Sequence, residues 1–346
     1  MDDRKLRILA AVVDEYITTG EPVGSKAISR YINASSATIR NEMAELEKQG
    51  YLEQPHTSAG RVPTYNGYRL YVDRLMTTSP LSDEEKRLLD DMLPDDVYSE
   101  EVLVQSASNA LATLTSCATF ISSENPKFSV ISKVEVIPTG KRMYVLLMIT
   151  SNGKIKNRTC RLELDLTNEQ LQYFSNYVKQ NLEGVPVEVL SDEMLEKLET
   201  AMGTYLLTLS PLIKGLFDMS KEMTQRDVSV SGGKNLLKRT DVDQNEIIAF
   251  LDNSAELQRL IDDSFSGIHV MFSEEQNDFV IGNSSLISSN FRKNGKVAGH
   301  LGVIGPMRID YRKVIPYIEY FTQKISEMLS NDDEYDTEEE GSIYDE

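Results

Sequence analysis

The sequence predicts an α+β protein with an N-terminal winged helix-turn-helix and a mixed helix-and-sheet domain that carries a mainly helical insertion. Three observations predict this architecture. The first 75 residues hold three amphipathic helical segments and a hairpin, residues 128–164 alternate as strands do, and further strands follow a long helical stretch. Strands separated by such a stretch indicate an insertion within one domain.

The length of 346 residues allows two or three domains. We expect the following segments: winged helix 1–76, linker 77–82, mixed domain 83–165 and 226–330, insertion 166–225, and acidic tail 331–346. The tail has nine acidic residues and no basic residue, so we expect it to be disordered. Such a tail either solubilises the protein or competes with DNA for its binding site.

The winged helix is predicted from apolar periodicity and helix breakers. Apolar residues recur at intervals of three and four in the first helix, at Leu6, Leu9, Val13 and Ile17. Residues 18–22 break that helix, and a short second helix begins at Ser25. Ser35 or Ser36 is expected to cap the third helix, because a serine oxygen accepts the free N–H groups of the first turn, and Gly50 ends it.

The third helix is the expected DNA-reading element. Its residues Ile39, Met43 and Leu46 lie on one face and are expected to be buried. In a helix-turn-helix the second helix enters the major groove with its N-terminal residues at the base edges. Arg suits guanine and Asn suits adenine. We therefore expect Thr38, Arg40 and Asn41 to contact bases.

The wing is expected directly after this helix. Residues 51–54 and 61–63 are predicted to pair as short strands around a turn at 55–60. Side chains at the tip or base of such a hairpin reach phosphates or a minor groove. The expected DNA-contacting residues are Ser35, Ser36, Ala37, Thr38, Arg40, Asn41, Lys48, His56, Thr57, Ser58 and Arg61.

Charge restricts how this protein can meet DNA. The chain has 55 acidic and 36 basic residues, a net charge of −19, so charge alone does not draw it to nucleic acid or to an anionic membrane. Residues 1–75 carry ten basic and ten acidic residues and are therefore neutral. A polyanion meets least repulsion at this neutral end.

Cysteine usage and the N-terminus bear on location. Two cysteines cannot build a disulfide framework, and neither lies at metal-ligand spacing from another Cys or a His. The apolar run near the N-terminus is too short for a signal peptide, and no stretch is apolar enough to span a membrane. We expect a cytoplasmic protein with no metal and no cofactor.

Two blocks of sequence resemble the heat-inducible transcription repressor HrcA family. The first comprises SSATIRNEMAELEKQGYL, then PHTSAGRVPT followed by GYR and a Tyr-Val-Asp helix. The second lies near the far end and comprises residues 302–306, Arg308, Asp310, Tyr311 and Val314. The resemblance covers essentially the full chain up to the acidic tail, which is longer and more acidic than is typical of the family.

The resemblance implies both architecture and function. It implies a GAF-like domain that carries an inserted dimerising domain. It also implies a homodimeric repressor of chaperone operons that binds the inverted repeat called CIRCE. Such repressors depend on the GroE chaperonin and lose activity when heat-damaged proteins occupy it.

The sequence does not predict an enzyme. It has no GxxxxGK[ST] phosphate loop, no HExxH and no convergent set of acid, base and nucleophile. Two rival hypotheses stay open at this point. One is a metabolite-sensing repressor with a small ligand in the GAF-like domain, and the other is an enzyme or chaperone adaptor whose winged helix binds protein.

Overall fold

The computed structural model divides the chain into two compact units. One comprises Met1–Ser123 and Val228–Glu346, and the other comprises Glu124–Asp227. The structure describes residues 2–56, 59–94, 99–123, 129–151, 153–190, 197, 200, 203, 206–224, 227–238, 243–252, 257, 260–261, 267–273 and 281–341. None of the helices in these ranges is long and apolar enough to cross a bilayer.

Helices and strands are numbered here along the chain. The helices are α1 (Asp3–Thr19), α2 (Ser25–Ile28), α3 (Ser36–Lys48), α4 (Tyr65–Leu70), α5 (Asp83–Asp90), α6 (Glu100–Thr115), α7 (Asn168–Leu182), α8 (Leu206–Thr224), α9 (Gly233–Leu237), α10 (Gln244–Asp252) and α11 (Tyr311–Gly341). The strands are β1 (Leu52–Glu53), β2 (Val62–Pro63), β3 (Ala118–Ser123), β4 (Ile131–Gly140), β5 (Met143–Thr150), β6 (Ile155–Arg161), β7 (Asp227–Ser231), β8 (His269–Phe272), β9 (Ser284–Lys293) and β10 (Lys296–Pro306). A π-helical turn, Tyr71–Leu75, continues α4.

The first unit contains the winged helix and a five-stranded sheet. Helices α1 to α3 and the β1–β2 hairpin form the winged helix, as predicted. The sheet has the order β7-β3-β10-β9-β8, with β10 antiparallel to both β3 and β9. Gly302 in β10 leaves room for the ring of Phe120, since a Cβ there would lie 2.4 Å from a ring carbon. This glycine of the second sequence block therefore serves close packing within the sheet.

The second unit is a three-stranded antiparallel sheet with helices on one face. The strand order is β4-β5-β6. Side chains of β5 that point inward, including Leu146 and Met148, share a core with Phe174 of α7 and Leu212 of α8. The opposite face of this sheet carries none of that core.

The division between the units differs from the expected one. We expected a mainly helical insertion at 166–225, whereas the separate unit begins at residue 124 and includes three strands. The alternation at 128–164 predicts strands correctly, but local alternation does not specify which sheet a strand joins. Short turns connect β4, β5 and β6, so they pair with one another rather than with β3.

The acidic tail also differs from expectation. Helix α11 continues through the acidic run to Gly341, where disorder was expected, and residues 342–346 lie outside the described residues. The packed part of α11 supplies the costly helix nucleus, and each further residue then adds one hydrogen bond.

Candidate nucleic-acid interface

Helix α3 is fixed by a cap at its start and by three buried side chains. Ser35 is the N-cap, and its Oγ accepts a hydrogen bond from the Thr38 backbone N–H at 3.1 Å. The sequence left Ser35 and Ser36 as alternatives. The buried side chains are Ile39, Met43 and Leu46, as predicted. Their burial turns the opposite face of α3 outward.

The outward face presents the residues expected to read bases. Ala37, Arg40 and Asn41 are exposed, and Ser36 and Thr38 are partly exposed. The Thr38 hydroxyl lies 2.9 Å from Ser35 Oγ, which orients it at the first turn. Within the described part of the chain, Arg40 has no ion-pair partner, so its five N–H donors face solvent. The first two turns of α3 thus form one polar, accessible surface.

All three carboxylates of α3 are held in ion pairs, which sequence reasoning missed. Glu42 lies 2.8 Å from Arg4 of α1 and Glu45 lies 2.9 Å from Lys48. The third ion pair joins Glu47 to Arg61 at 2.8 Å. The i,i+3 spacing of Glu45 and Lys48 was the only signal that local sequence offered. These pairs offset negative charge that would otherwise repel phosphates.

The ion pair with Lys48 also changes the pKa of Glu45. The hydrogen bond from Lys48, and then its positive charge, lower the pKa of Glu45 below the ordinary value of 4.5. The pair is exposed, with 74% of the Lys48 side chain and 47% of the Glu45 side chain accessible, so it adds little stability. Lys48 lies at the last turn of α3, away from the capped end.

The wing is attached to the helix-turn-helix by backbone pairing. Val23 and Arg61 exchange two hydrogen bonds, of 2.8 and 2.9 Å, which form an isolated antiparallel bridge beside the β1–β2 hairpin. A Cβ on Gly60 would lie 2.5 Å from the Val23 carbonyl. Only glycine fits this close approach. The close approach to Val23 accounts for the glycine in the run PHTSAGRVPT.

The expected wing residues fall in different places. His56 is exposed, and Thr57 and Ser58 lie outside the described residues. Arg61 is at the wing base, with its side chain only 16% exposed and bonded to Glu47. The structure therefore brings Ser35 to Asn41 together on one surface and leaves Lys48 and Arg61 engaged elsewhere.

Two further basic residues beside α3 were not predicted. Lys26 of α2 and Arg30, just after it, are both exposed. Neither forms an ion pair with another residue that the structure describes. The first helix of a helix-turn-helix crosses the phosphate backbone, so these cations are suitably placed for phosphates. In the sequence, only their position after the helix-breaking residues 18–22 could have indicated this role.

No metal or thiol chemistry emerges from the described residues. They contain no group of three or more His, Cys, Asp or Glu side chains that could hold a metal ion. Cys117 and Cys160 are both buried and free, and burial raises the pKa of the Cys160 thiol. His269 is partly buried in β8 and His300 is buried in β10, consistent with positions in the sheet.

Comparisons with known proteins match both parts of the chain. Residues 2–74 match a family described as the winged helix-turn-helix transcription repressor, HrcA DNA-binding, and residues 101–315 match the HrcA protein C-terminal domain. The heat-inducible transcription repressor HrcA of Acetivibrio thermocellus is 33% identical, over 94% of this chain and 96% of that protein.

A second relative and a solved structure also match nearly the whole length of this chain. The protein of the same name from Clostridium acetobutylicum is 34% identical, over 95% of this chain and 98% of that protein. A crystal structure described as a hypothetical protein has a TM-score of 0.61 at 23% identity, over 96% of this chain and 99% of that one. That structure supports the fold alone.

Proposed function

Because the chain belongs to the HrcA family, we propose that it is a heat-inducible transcription repressor that binds operator DNA through its winged helix. The observation that carries the proposal is the outward face of α3. It is capped by Ser35, exposes Arg40 and Asn41, and has its carboxylates paired with cations. A polar, accessible first turn is what a recognition helix needs.

Base reading is assigned to Thr38, Arg40 and Asn41. A guanidinium reads guanine O6 and N7 with two bonds, and an amide reads adenine N6 and N7. Ser35, Ser36 and Ala37 lie at the start of α3, where N–H groups and small side chains permit close approach to the duplex. Lys26 and Arg30 are added as phosphate contacts.

The remaining expected contacts receive different roles. His56, Thr57 and Ser58 are proposed as wing contacts to phosphate or minor groove. Arg61 and Lys48 are proposed to act indirectly, by neutralising Glu47 and Glu45, because their charged groups are already engaged.

The operator is proposed to be the CIRCE inverted repeat, bound by a homodimer. One small module buries only about 600 to 1,000 Å² on DNA, and this neutral module adds little non-specific attraction. Two linked modules raise the effective concentration of the second contact. A two-fold symmetric dimer matches a two-fold symmetric repeat.

The second unit offers a surface for that dimer. The outer face of β5 carries a stripe of partly exposed apolar side chains: Met143, Val145, Leu147 and Ile149. Two apolar residues flank this β5 stripe on the neighbouring strands, Ile137 at 41% and Ile155 at 59% exposure. Opposite Leu147 the neighbouring strands carry Glu135 and Asn157, so the stripe is an apolar strip with polar residues at its rim. Such a surface is typical of an interaction site, and we propose a second copy of this chain as its occupant.

Regulation is proposed to pass through the GroE chaperonin, as the family resemblance implies. A repressor that needs a chaperone to reach its folded state competes with other clients for it. Heat-damaged proteins then occupy the chaperonin, and the active repressor population falls by mass action. We propose a cytoplasmic location on the same basis.

A metabolite-sensing repressor is the alternative function. The ligand was expected in the GAF-like domain, whereas the described cavity of about 450 Å³ is lined mainly by the winged helix, with Arg7, Ala11 and Tyr31 among its lining residues. Its volume suits a small ligand. A ligand that raises the melting temperature and changes operator affinity would favour this alternative. Ligands that do neither leave chaperonin control as the proposed regulation.

Fluorescence anisotropy tests the proposed function. Purified protein is titrated onto labelled CIRCE and scrambled duplexes across a salt series, with GroE chaperonin present. We expect at least about a thousandfold preference for CIRCE, the lower range for specific regulators. Equal, weak binding to both duplexes by folded dimer would refute the proposal.

A further inference from the structure

The winged helix packs against the five-stranded sheet through one continuous buried core. The segment at 77–82, which was expected to be a linker, does not keep the two apart. Tyr68 and Tyr71 belong to the same buried cluster as Phe272 and Tyr311. The rings of Tyr68 and Tyr311 lie 6.4 Å apart, and those of Tyr65 and Phe272 lie 5.6 Å apart. This apolar contact attaches the winged helix and restricts its orientation, and polar groups beside it add a directional contact.

A three-residue polar contact supplies that direction. Arg312, in the first turn of α11, donates a hydrogen bond to Asp14 of α1 at 2.7 Å. Tyr71 donates its hydroxyl to the other oxygen of the same carboxylate. The Arg312 guanidinium also lies 5.7 Å from the centre of the Tyr71 ring. We call Asp14, Tyr71 and Arg312 the clamp.

The clamp fixes orientation because its groups are directional. Both oxygens of Asp14 are engaged, one by the winged helix itself and one by α11. Burial, and then the bond to Asp14, raise the pKa of the Tyr71 phenol, so it stays a donor. Arg312 reaches Asp14 through one N–H group, and the position of its planar guanidinium near the Tyr71 ring is a second constraint that an ammonium would meet less well.

A second arginine of the same segment reaches the end of α1. Arg308 lies beside Gly20, with its Nη1 3.2 Å from where a Cβ would be. Gly20 is the C-cap of α1, at φ 70°, a conformation that favours glycine. The sequence block with Arg308 and Tyr311 thus lies against the winged helix, although nearly 300 residues separate Asp14 from Arg312.

The clamp leaves the DNA-reading surface uncovered. It contacts α1 and the π-helical turn, whereas Ala37, Arg40 and Asn41 on α3 remain exposed. An autoinhibitory contact would cover that surface. The docked arrangement is therefore one in which the recognition helix is both accessible and held at one angle to the sheet.

We propose that Arg312 is a positioning residue for operator recognition. Through Asp14 and Tyr71 it orients the winged helix so that two modules of a dimer match the half-site spacing of the operator. The inference rests on the proposed function. In dimeric helix-turn-helix proteins, the geometry of the dimer sets the distance between the two half-sites that it binds. Loss of the clamp should therefore change the preferred half-site spacing and leave the base contacts of each module unchanged.

Operator spacing gives a direct test with full-length protein. Arg312→Gln removes the charge, Tyr71→Phe removes the second donor to Asp14, and Arg312→Lys keeps the charge. Lys324→Gln is the matched control, since Lys324, also on α11, forms an ion pair of similar exposure with Asp90 of α5, 3.1 Å away. Anisotropy is measured on a single half-site, on the intact operator and on operators with base pairs added between half-sites.

The expected results separate orientation from base reading. Arg312→Gln and Tyr71→Phe bind the single half-site as the wild type does, bind the intact operator about tenfold more weakly, and tolerate altered spacing better. Arg312→Lys recovers most of the affinity, and Lys324→Gln changes nothing. Wild-type spacing preference in both clamp variants, or tighter operator binding by them, would overturn the proposal.

Spin labels test orientation without DNA. Cysteines at Lys26 and Gln323, both exposed, accept labels while the native Cys117 and Cys160 are buried. Dimers with one labelled chain should give a narrow distance distribution that Arg312→Gln broadens. An unchanged distribution would overturn the positioning role. Equal wild-type binding to operator and scrambled duplexes would instead refute the proposed function, whatever the labels show.

Discussion

The outward faces of α3 and β5 differ in composition: the face of α3 is polar and the face of β5 is apolar. Helix α3 buries Ile39, Met43 and Leu46 and exposes polar groups, with each carboxylate paired. Strand β5 buries Leu146 and Met148 yet keeps its other face apolar. The first surface suits a charged, hydrated partner and the second suits another protein surface. The contrast supports the proposal that DNA reading belongs to the first unit and self-association to the second.

The largest expected effect comes from breaking the β5 stripe. Leu147→Glu should convert dimers to monomers, because it places a charge in an apolar interface. Operator affinity should fall on the order of a hundredfold as the second contact becomes bimolecular. Light scattering and operator titration measure both. Gln180→Glu, at an exposed site on α7 in the same unit, is the charge-matched control; dimers that survive Leu147→Glu would contradict the assignment.

The next effect tests the base of the wing. Gly60→Ala should destabilise the protein by about 1 to 3 kcal/mol, since its Cβ would overlap the Val23 backbone. Thermal unfolding measures the change. Gly140→Ala is the control, because a Cβ there would make only ordinary contact with Met143. Equal stability of the two variants would show that the wing does not need this close approach.

Arg40→Ala sharpens the role of α3. Operator binding should weaken by about 1 to 3 kcal/mol, with relaxed specificity at one base position. Anisotropy on operators substituted base by base measures the loss. A uniform loss over all sequences, with a shallower salt dependence, would make Arg40 a phosphate contact instead.

Ser35→Ala tests the cap that holds the reading surface. Loss of the hydrogen bond to the Thr38 N–H should cost about 1 kcal/mol of stability. Ser36→Ala, one residue later and outside the cap, should cost less. Denaturant unfolding separates the two variants, and the reverse order would assign the cap to Ser36.

The smallest effect concerns Glu45. Lys48→Met should return the pKa of Glu45 upward toward 4.5, because the hydrogen bond and charge that lower it are gone. A carboxylate with a lowered folded-state pKa stabilises above its unfolded pKa, and that contribution is lost as pH falls through the folded value. NMR titration of the Glu45 carboxyl measures the shift. An unchanged titration would mean that the pair is absent in solution.

Local sequence predicted the winged helix because its signals are local. Periodicity at Ile39, Met43 and Leu46, a cap at Ser35 and a glycine at the end specify α3 within a few turns. The outward orientation of Arg40 and Asn41 follows from the same periodicity. These parts of the fold and site were predictable without knowledge of tertiary contacts.

Contacts between distant segments were not predictable in this way. Nothing near Arg61 in sequence indicates that it bonds Glu47 and pairs with Val23, and nothing near Asp14 points to Arg312. Likewise, alternation showed strands at 128–164 without showing that they form a separate sheet. Each of these features depends on long-range pairing, which a local pattern does not encode.

Stoichiometry on the operator tests the division of labour between the two units most directly. The full-length protein is first activated with GroE chaperonin, which is then removed. Analytical ultracentrifugation of this protein with labelled CIRCE duplex gives the mass of the complex. The account predicts two chains per duplex, formed in one step, and no stable complex with a scrambled duplex. One chain per duplex, or equal complexes on both duplexes, would contradict it.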